Sequence, residues 1–148
     1  MTIFLAFSCF GLILSWIDIR EHKLPNRLVL FLTLVLVCLA TFSISADAII
    51  RAVQVSGLFL LIFVLIYAIG RGSLGFGDVK YAIPCGFVIG VIDPRNWLFC
   101  VWLMFVLAGL FGLGQSMFLH QKLSREIPFG PFMTLSVFIL AFNSLYLG

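Results

Sequence analysis

Six apolar segments, all uncharged except the fourth, which contains Lys80, follow one another along the chain and are separated by short polar stretches. They cover residues 1–17, 28–46, 52–70, 79–92, 97–119 and 128–147. A helix that crosses a bilayer needs about 20 consecutive apolar residues, with a range of roughly 17 to 25. Because five of the six segments fall in this range, we predict an all-α integral membrane protein, a bundle of six transmembrane helices.

The first segment has the length of a signal peptide but not its surroundings. No basic residue precedes the apolar run, and the polar residues 18–27 follow it where a cleavage site of small residues would stand. We therefore expect residues 1–17 to be retained as the first span. This span is short and brings Asp18 close to the boundary of the hydrocarbon region. The polar stretch closes at Pro25, which disfavours helix at the residue before it.

The fourth segment, residues 79–92, looks too short to span a membrane as a helix. At 1.5 Å per residue, its 14 residues rise about 21 Å through a hydrocarbon core of about 30 Å. Residues 70–77 precede it and contain four glycines, which favour unusual backbone conformations or close approach. We therefore expect Asp78 to lie roughly 9 Å below the near surface. The glycine-rich loop would then line a water-filled cavity.

The polar stretches between the segments set the expected topology. Short connections are expected at residues 47–51 and 93–96, and a basic turn at residues 120–126. These connections alternate between two sides, and most lysines and arginines fall on the side that carries the two aspartates Asp18 and Asp78. That side holds Arg20, Lys23, Arg27, Arg71, Lys80, Lys122 and Arg125, whereas the other side holds Arg51 and Arg95. By the positive-inside rule, the first side is expected to be cytoplasmic and both termini to lie outside.

Composition agrees with the apolar pattern and excludes several classes of protein. Of the 148 residues, 63% are hydrophobic and 10% are charged, and the mean hydropathy of +1.22 is well above that of soluble domains. No linker-like stretch interrupts the sequence, so residues 1–148 are expected to form a single domain. The formal charge of +3 is small and scattered, which argues against nucleic acid as a partner.

Small and sulfur-containing residues inside the segments are expected to serve packing. The cysteines Cys9, Cys38, Cys85 and Cys100 lie in apolar segments without a Cys-x-x-Cys pair, which indicates buried structural thiols. Glycines at spacings typical of close helix packing are Gly86, Gly90, Gly109, Gly112 and Gly114. His22 and His120 have no second ligand at a regular spacing, so neither a metal nor another cofactor is expected.

Two aspartates, Asp18 and Asp78, lie where a charge is costly. Charged side chains at membrane depth are rare, face a protein interior or a wet cavity, and mark candidate functional sites. Two close carboxyl groups cannot both ionise easily, so they share a proton and can act on a water as general base and general acid. Gly75 and Gly77 would let a substrate backbone or a second helix approach. A simpler alternative is that Asp78 only caps the fourth helix.

Three separated stretches resemble the type IV prepilin peptidases, the bacterial members of the Gly-x-Gly-Asp class of membrane aspartic proteases. They are Asp18-x5-Leu24-Pro25-Asn26, Gly75-Phe76-Gly77-Asp78-Val79-Lys80 and Ile127-Pro128-Phe129-Gly130-Pro131-Phe132, in family order along the chain. The resemblance implies that Asp18 and Asp78 are the catalytic dyad of an endopeptidase. The implied substrates are prepilins or pseudopilins with a short basic leader followed by a hydrophobic helix. Cleavage would follow a leader glycine at the cytoplasmic face of the bacterial inner membrane.

The chain departs from the longer members of that family in one respect. Those members carry an enlarged cytoplasmic region with paired Cys-x-x-Cys motifs and also methylate the new N-terminus. This sequence has neither the region nor the motifs. It is similar to the short, protease-only kind found with Flp or Tad pilus systems, which argues against a methyltransferase activity.

Seven further residues in the matching stretches are expected to bind substrate or to shape the site. They are Gly75, Gly77, Lys80, Pro25, Asn26, Gly130 and Pro131. Lys80 does not share a helix face with Asp78 two residues earlier, so its ammonium group is expected to extend toward the membrane surface. Pro131 is expected to shape the start of the sixth helix, and Gly130 to allow close approach to the dyad.

Two other functions fit parts of the pattern. A presenilin-like intramembrane protease shares the Gly-x-Gly-Asp motif, but it would have a longer chain and a Pro-Ala-Leu element near the C-terminus, where phenylalanines follow Pro128 and Pro131 here. A nonenzymatic transporter or pilus-assembly subunit would use the aspartates to bind ions or position helices. Transport predicts mid-membrane charges on several spans, and this sequence has none. The sequence therefore favours a prepilin leader peptidase without a cofactor.

Overall fold

The computed structural model describes residues 1–70, 74–119 and 128–146, and within these ranges all regular structure is helical. The six helices are α1 (Thr2–Glu21), α2 (Asn26–Ser43), α3 (Ala46–Ile69), α4 (Phe76–Ile92), α5 (Trp97–Leu119) and α6 (Gly130–Tyr146). Each corresponds to one of the six apolar segments. The prediction of an all-α protein with six helices is confirmed.

Four of the described helices are long and apolar enough to cross a membrane. They are α1, α2, α3 and the Trp97–Gln115 part of α5. α4 and α6 are shorter, with 17 residues each. Large apolar side chains on the outer faces of the long helices are exposed, among them Leu12, Leu34 and Trp102. Such surfaces are stable against lipid chains, and the chain is therefore a multi-pass membrane protein.

α1 continues one turn beyond the apolar segment that predicts it. Asp18 lies inside the helix, and its backbone carbonyl accepts a hydrogen bond from the N–H of His22 at 2.9 Å. His22 has a left-handed conformation with φ 50, which ends the helix as a C-cap does. The expected end of the first span at residue 17 was therefore wrong by about one turn, and the Asp18 side chain is held by regular helical backbone.

The prediction of a polar connection at residues 47–51 was also wrong. Asp47 lies in the first turn of α3, and only Ile44 and Ser45 separate this helix from α2. An acidic side chain at a helix N-terminus is favoured by the macrodipole, so the charged residues extend the helix instead of ending it. The connection at residues 93–96 is confirmed, since α4 ends at Ile92 and α5 begins at Trp97.

α4 begins earlier than its apolar segment indicates. Its first residue is Phe76, so Gly77 and Asp78 are helical and the glycine-rich loop is shorter than the expected residues 70–77. Residues 71–73 of that loop, including Arg71 and Ser73, lie outside the described residues. The 17 residues of α4 rise about 25 Å, which is closer to the thickness of a hydrocarbon core than the expected 21 Å.

α4 occupies the centre of the bundle. It packs against each of the other five helices, and most of its side chains are buried. A Cβ atom added at Gly86 would lie 2.8 Å from the Cα of Ser56, and one added at Gly90 would lie 2.5 Å from the Cα of Ala52. These two glycines therefore bring α4 into close contact with α3, as their spacing predicts.

Other packing expectations were wrong in part. In the described portion of the chain, a Cβ added at Gly109 or Gly114 on α5 would meet no atom within 4 Å. Among the described residues, these two glycines therefore do not bring α5 into close contact with another helix. Cys85 and Cys100 are buried as expected, whereas Cys9 and Cys38 are exposed on outer helix faces.

Candidate active site

Asp18 is buried where the end of α1 meets the start of α6. Its side chain is 4% exposed, and its Oδ2 atom accepts a hydrogen bond from the backbone N–H of Gly130 at 2.9 Å. Gly130 is the first residue of α6, so its N–H has no acceptor within the helix. A carboxylate at this position satisfies the N–H and interacts favourably with the positive end of the helix dipole.

The close contact between Asp18 and α6 requires glycine at position 130. A Cβ atom added at Gly130 would lie 2.9 Å from Oδ2 and 3.3 Å from Cγ of Asp18. The preceding residue, Phe129, is buried, and its ring lies 5.9 Å from that of Phe63 and 5.1 Å from that of Phe105. The contacts with rings of α3 and α5 hold the residue before α6 in place, and with it the start of that helix.

Asp78 lies in the first turn of α4 and is 9% exposed. Gly75 precedes this helix as its N-cap, and the Asp78 carboxyl group lies against its backbone. The contact is tight, because a Cβ added at Gly75 would lie 2.9 Å from Oδ2 of Asp78. An acidic residue in the first turn of a helix interacts favourably with the helix macrodipole. The N-cap of α4 is therefore Gly75 and not Asp78, which is the third residue of the helix.

The position of Asp78 at a helix start does not account for all of its surroundings. The Asp18 and Asp78 carboxyl groups are near enough to interact electrostatically. Two largely buried carboxyl groups near each other destabilise a fold when both are ionised, and protonation of one of them removes the repulsion. Such a pair can take a proton from a water molecule and give one to a substrate, which is the chemistry of general base and general acid catalysis.

The loop between α1 and α2 packs against the start of α4. A Cβ added at Gly77 would lie 3.0 Å from the Cβ of Leu24, which is buried. Pro25 is the N-cap of α2, and its carbonyl accepts hydrogen bonds from the N–H groups of Leu28 and Val29 at 3.0 and 3.2 Å. The glycine before Asp78 thus contacts a segment of the chain itself.

Lys80 and Asn26 meet at the outer edge of this region. The Lys80 Nζ atom donates a hydrogen bond to Asn26 Oδ1 at 3.1 Å and lies 4.6 Å from the centre of the Phe76 ring. Asn26 is exposed, and Lys80 is partly exposed. Pro131 is half-buried in the first turn of α6, where proline is tolerated.

The sequence reasoning missed three buried polar side chains that lie one turn away from the site. Ser15 precedes Asp18 by three residues, Tyr81 follows Asp78 by three, and Thr134 follows Gly130 by four. They meet between α1, α4 and α6, where Ser15 Oγ donates to Thr134 Oγ1 at 2.9 Å and Tyr81 Oη lies 2.8 Å from the same oxygen. Polar residues spaced three or four positions from a motif residue share its helix face, and this spacing was the available signal.

Several expected features fall outside the described residues. These are Ile127 of the third matching stretch, the basic turn at residues 120–126 and its charged residues Lys122 and Arg125. In the part of the chain that the structure describes, no group of three or more His, Cys, Asp and Glu side chains is arranged to hold a metal ion.

A comparison with known protein families gives a match that covers nearly all of the six helices. The model of a family described as the type IV leader peptidase family matches residues 5–142. The chain is also 28% identical, over 153 aligned positions, to Leader peptidase HopD of Escherichia coli; the alignment covers 97% of this chain and 94% of that protein. No solved structure matches the chain. Since the family match extends over nearly all of the sequence, the chain belongs to the type IV leader peptidase family.

Proposed function

We propose that this protein is an aspartic endopeptidase that removes the leader peptide from type IV prepilins, with Asp18 and Asp78 as its catalytic dyad. Membership of the type IV leader peptidase family supports the peptidase activity. The observation that carries the assignment of residues is that two carboxyl groups from different helices are both buried and interact with each other. Burial of two neighbouring acidic groups is costly, and catalysis gives a reason for it.

The proposed reaction needs one ionised and one protonated carboxyl group. The ionised group accepts a proton from a water molecule as the water oxygen attacks the carbonyl carbon of the scissile peptide bond. The protonated group donates its proton to the carbonyl oxygen, which gives a neutral tetrahedral intermediate. The protonated carboxyl group then donates a proton to the amide nitrogen while the ionised one accepts a proton from a hydroxyl of the intermediate. The carbon–nitrogen bond breaks, a carboxylic acid and an amine are released, and the dyad again holds one proton.

Backbone groups next to the two carboxyl groups support this mechanism, because they position the side chains of the dyad. Asp18 accepts a hydrogen bond from the N–H of Gly130, and the Asp78 carboxyl group lies against the backbone of Gly75. Fixed dipoles of this kind position a catalytic group before the reaction and need no reorganisation during it. The glycines allow this close contact, while Lys80, Asn26, Pro25 and Pro131 are proposed to shape the entrance used by the substrate.

The proposed substrates are Flp-type prepilins or pseudopilins with a short basic leader and a hydrophobic helix. We place the site at the cytoplasmic side of the bacterial inner membrane, with both termini outside, because lysines and arginines predominate on the side of Asp18 and Asp78. The relative described as a leader peptidase supports removal of a leader as the reaction. We propose that the protein does not act as a methyltransferase.

The dyad is tested by cleavage of a co-expressed Flp-type prepilin in membranes. Asp18→Asn and Asp78→Asn are each expected to reduce the rate of leader removal by roughly a thousandfold, because each removes a proton-transfer group. The control is Asp47→Asn, since Asp47 is an exposed acidic residue in the first turn of α3. Full cleavage by either dyad variant, with similar amounts of protein in the membrane, would contradict the proposed mechanism.

A further inference from the structure

We propose that Thr134, together with Tyr81 and Ser15, forms a positioning network that holds the first turn of α6 so that Gly130 keeps its hydrogen bond to Asp18. The three residues are positioning residues, not catalytic residues, because they act through Gly130. This inference rests on the proposed function for its effect on catalysis, but the geometry is independent of that function.

The network links three helices through one oxygen atom. The Thr134 Oγ1 atom of α6 accepts a hydrogen bond from Ser15 Oγ of α1 at 2.9 Å and lies 2.8 Å from Tyr81 Oη of α4. All three side chains are buried, and Tyr81 is completely so. Hydrogen bonds between buried groups are strong because no water competes for them, and their loss leaves polar atoms without a partner.

A count of hydrogens fixes the direction of each bond. The Thr134 hydroxyl has one hydrogen, which it donates to the Gly130 carbonyl at 3.0 Å; the carbonyl of Gly11 lies farther away, at 3.4 Å. Two lone pairs remain on the oxygen. Because Ser15 donates to one of them, Tyr81 donates to the other. The Thr134 hydroxyl is therefore fully satisfied, and removal of any partner leaves a buried donor or acceptor unpaired.

Gly130 is held at both of its polar backbone groups. Its N–H donates to Asp18 Oδ2, and its carbonyl accepts from the Thr134 hydroxyl. A threonine that bonds to the carbonyl four residues earlier is common in helices and would not be informative alone. Here the same hydroxyl is anchored to α1 and α4, the two helices that carry Asp18 and Asp78.

The surrounding packing leaves little freedom for the network to move. A Cβ added at Gly11 of α1 would lie 2.8 Å from Thr134 Cγ2 and 3.2 Å from Tyr81 Oη. The Tyr81 ring also stacks on Phe7, with ring centres 6.3 Å apart and planes inclined by 8°. Because the residues are packed from both sides, a change at Thr134 is transmitted to the position of Gly130.

The first test measures steady-state cleavage of a prepilin by the purified protein in detergent. Thr134→Val keeps the shape of the side chain and removes the hydroxyl, and it is expected to lower kcat about tenfold with KM changed by less than about twofold. Tyr81→Phe is expected to act in the same direction, and Thr134→Ser, which restores the hydroxyl, to recover most of the activity. The control is Ser136→Ala, because Ser136 is buried on the same helix and its hydroxyl donates to the Phe132 carbonyl of that helix at 2.8 Å, outside the network.

The second test needs no substrate. The amide proton resonance of Gly130 is measured by NMR in the intact protein, selectively labelled at glycine, and is expected to lie downfield in the wild type relative to Asp18→Asn. Thr134→Val is expected to move it toward the Asp18→Asn position, whereas Thr134→Ser and Ser136→Ala leave it in place. An unchanged Gly130 resonance in Thr134→Val would overturn the network, as would equal loss of kcat in the Val and Ser variants. A wild-type protein that cleaves no prepilin would overturn the proposed function instead, and the resonance would still test the network.

Discussion

At the scale of single residues, Gly130 is the position on which the geometry of the site depends most directly. Its N–H contacts Asp18, and a Cβ atom there would lie 2.9 Å from the carboxylate oxygen. Real Cβ atoms do not approach oxygen this closely, so either the Asp18 side chain or the start of α6 must shift. The shift would lengthen or break the hydrogen bond.

Gly130→Ala is therefore expected to reduce the rate of leader removal by about a hundredfold, the size of effect that a displacement near 1 Å can produce. Alanine has a higher helix propensity than glycine, so the loss would not reflect a weaker helix. The control is Gly109→Ala on α5, where an added Cβ meets no described atom within 4 Å. If Gly130→Ala cleaves prepilin at the wild-type rate, close contact with Asp18 is not needed for catalysis.

At the scale of helices, the packing of α4 on α3 sets where the first turn of α4 lies. A Cβ added at Gly90 would lie 2.5 Å from the Cα of Ala52, which is backbone and cannot rotate away. Overpacking of this kind costs about 1–3 kcal/mol when the neighbours must shift. The helix that carries Asp78 is therefore held in place by residues far from the site along the same helix.

Gly90→Ala is expected to lower the free energy of unfolding by about 2 kcal/mol for the same reason. The measurement is thermal or denaturant unfolding in detergent micelles. Gly57→Ala on α3 is the control, because an added Cβ there meets nothing within 4 Å among the described residues. Equal stability of the two variants would mean that α3 and α4 can separate at little cost.

At the scale of the whole molecule, the ends of α1, α4 and α6 that carry Asp18, Asp78 and Gly130 come together on one side of the bundle. The loop at Leu24 packs on Gly77, so this side also contains the connection between α1 and α2. The proposed orientation places this side toward the cytoplasm. The two-residue connection between α2 and α3 then lies on the opposite side.

Cysteine accessibility tests this orientation. Lys23→Cys and Asp47→Cys are introduced separately into a variant that lacks Cys9 and Cys38, and both target positions are exposed. A membrane-impermeant maleimide is expected to label Asp47→Cys in intact spheroplasts and Lys23→Cys only after the membrane has been opened. Labelling of Lys23→Cys in intact spheroplasts would reverse the assigned topology.

The sequence alone was sufficient for the number of helices, because apolar runs of bilayer length have few other stable conformations. It was less reliable for helix ends. α1 extends past its apolar run to Glu21 and α3 begins before Asp47, since charged residues in a terminal turn do not break a helix. The four glycines of residues 70–77 suggested a longer loop than the structure has, because Gly77 permits close contact with Leu24 from within a helix.

The sequence by itself determined that Asp18 and Asp78 lie at the ends of apolar segments, where a charged side chain is costly and marks a candidate functional site. Only the tertiary structure decided what surrounds them. Gly130 contacts Asp18 across 112 positions of sequence, and Ser15 reaches Thr134 across 119. Helix periodicity indicates which residues share a face, but it cannot tell which faces meet, because apolar surfaces in a membrane pack by shape and not by a pattern of polar and apolar residues. The pairing of the aspartates with particular backbone groups is therefore a property of the packed bundle.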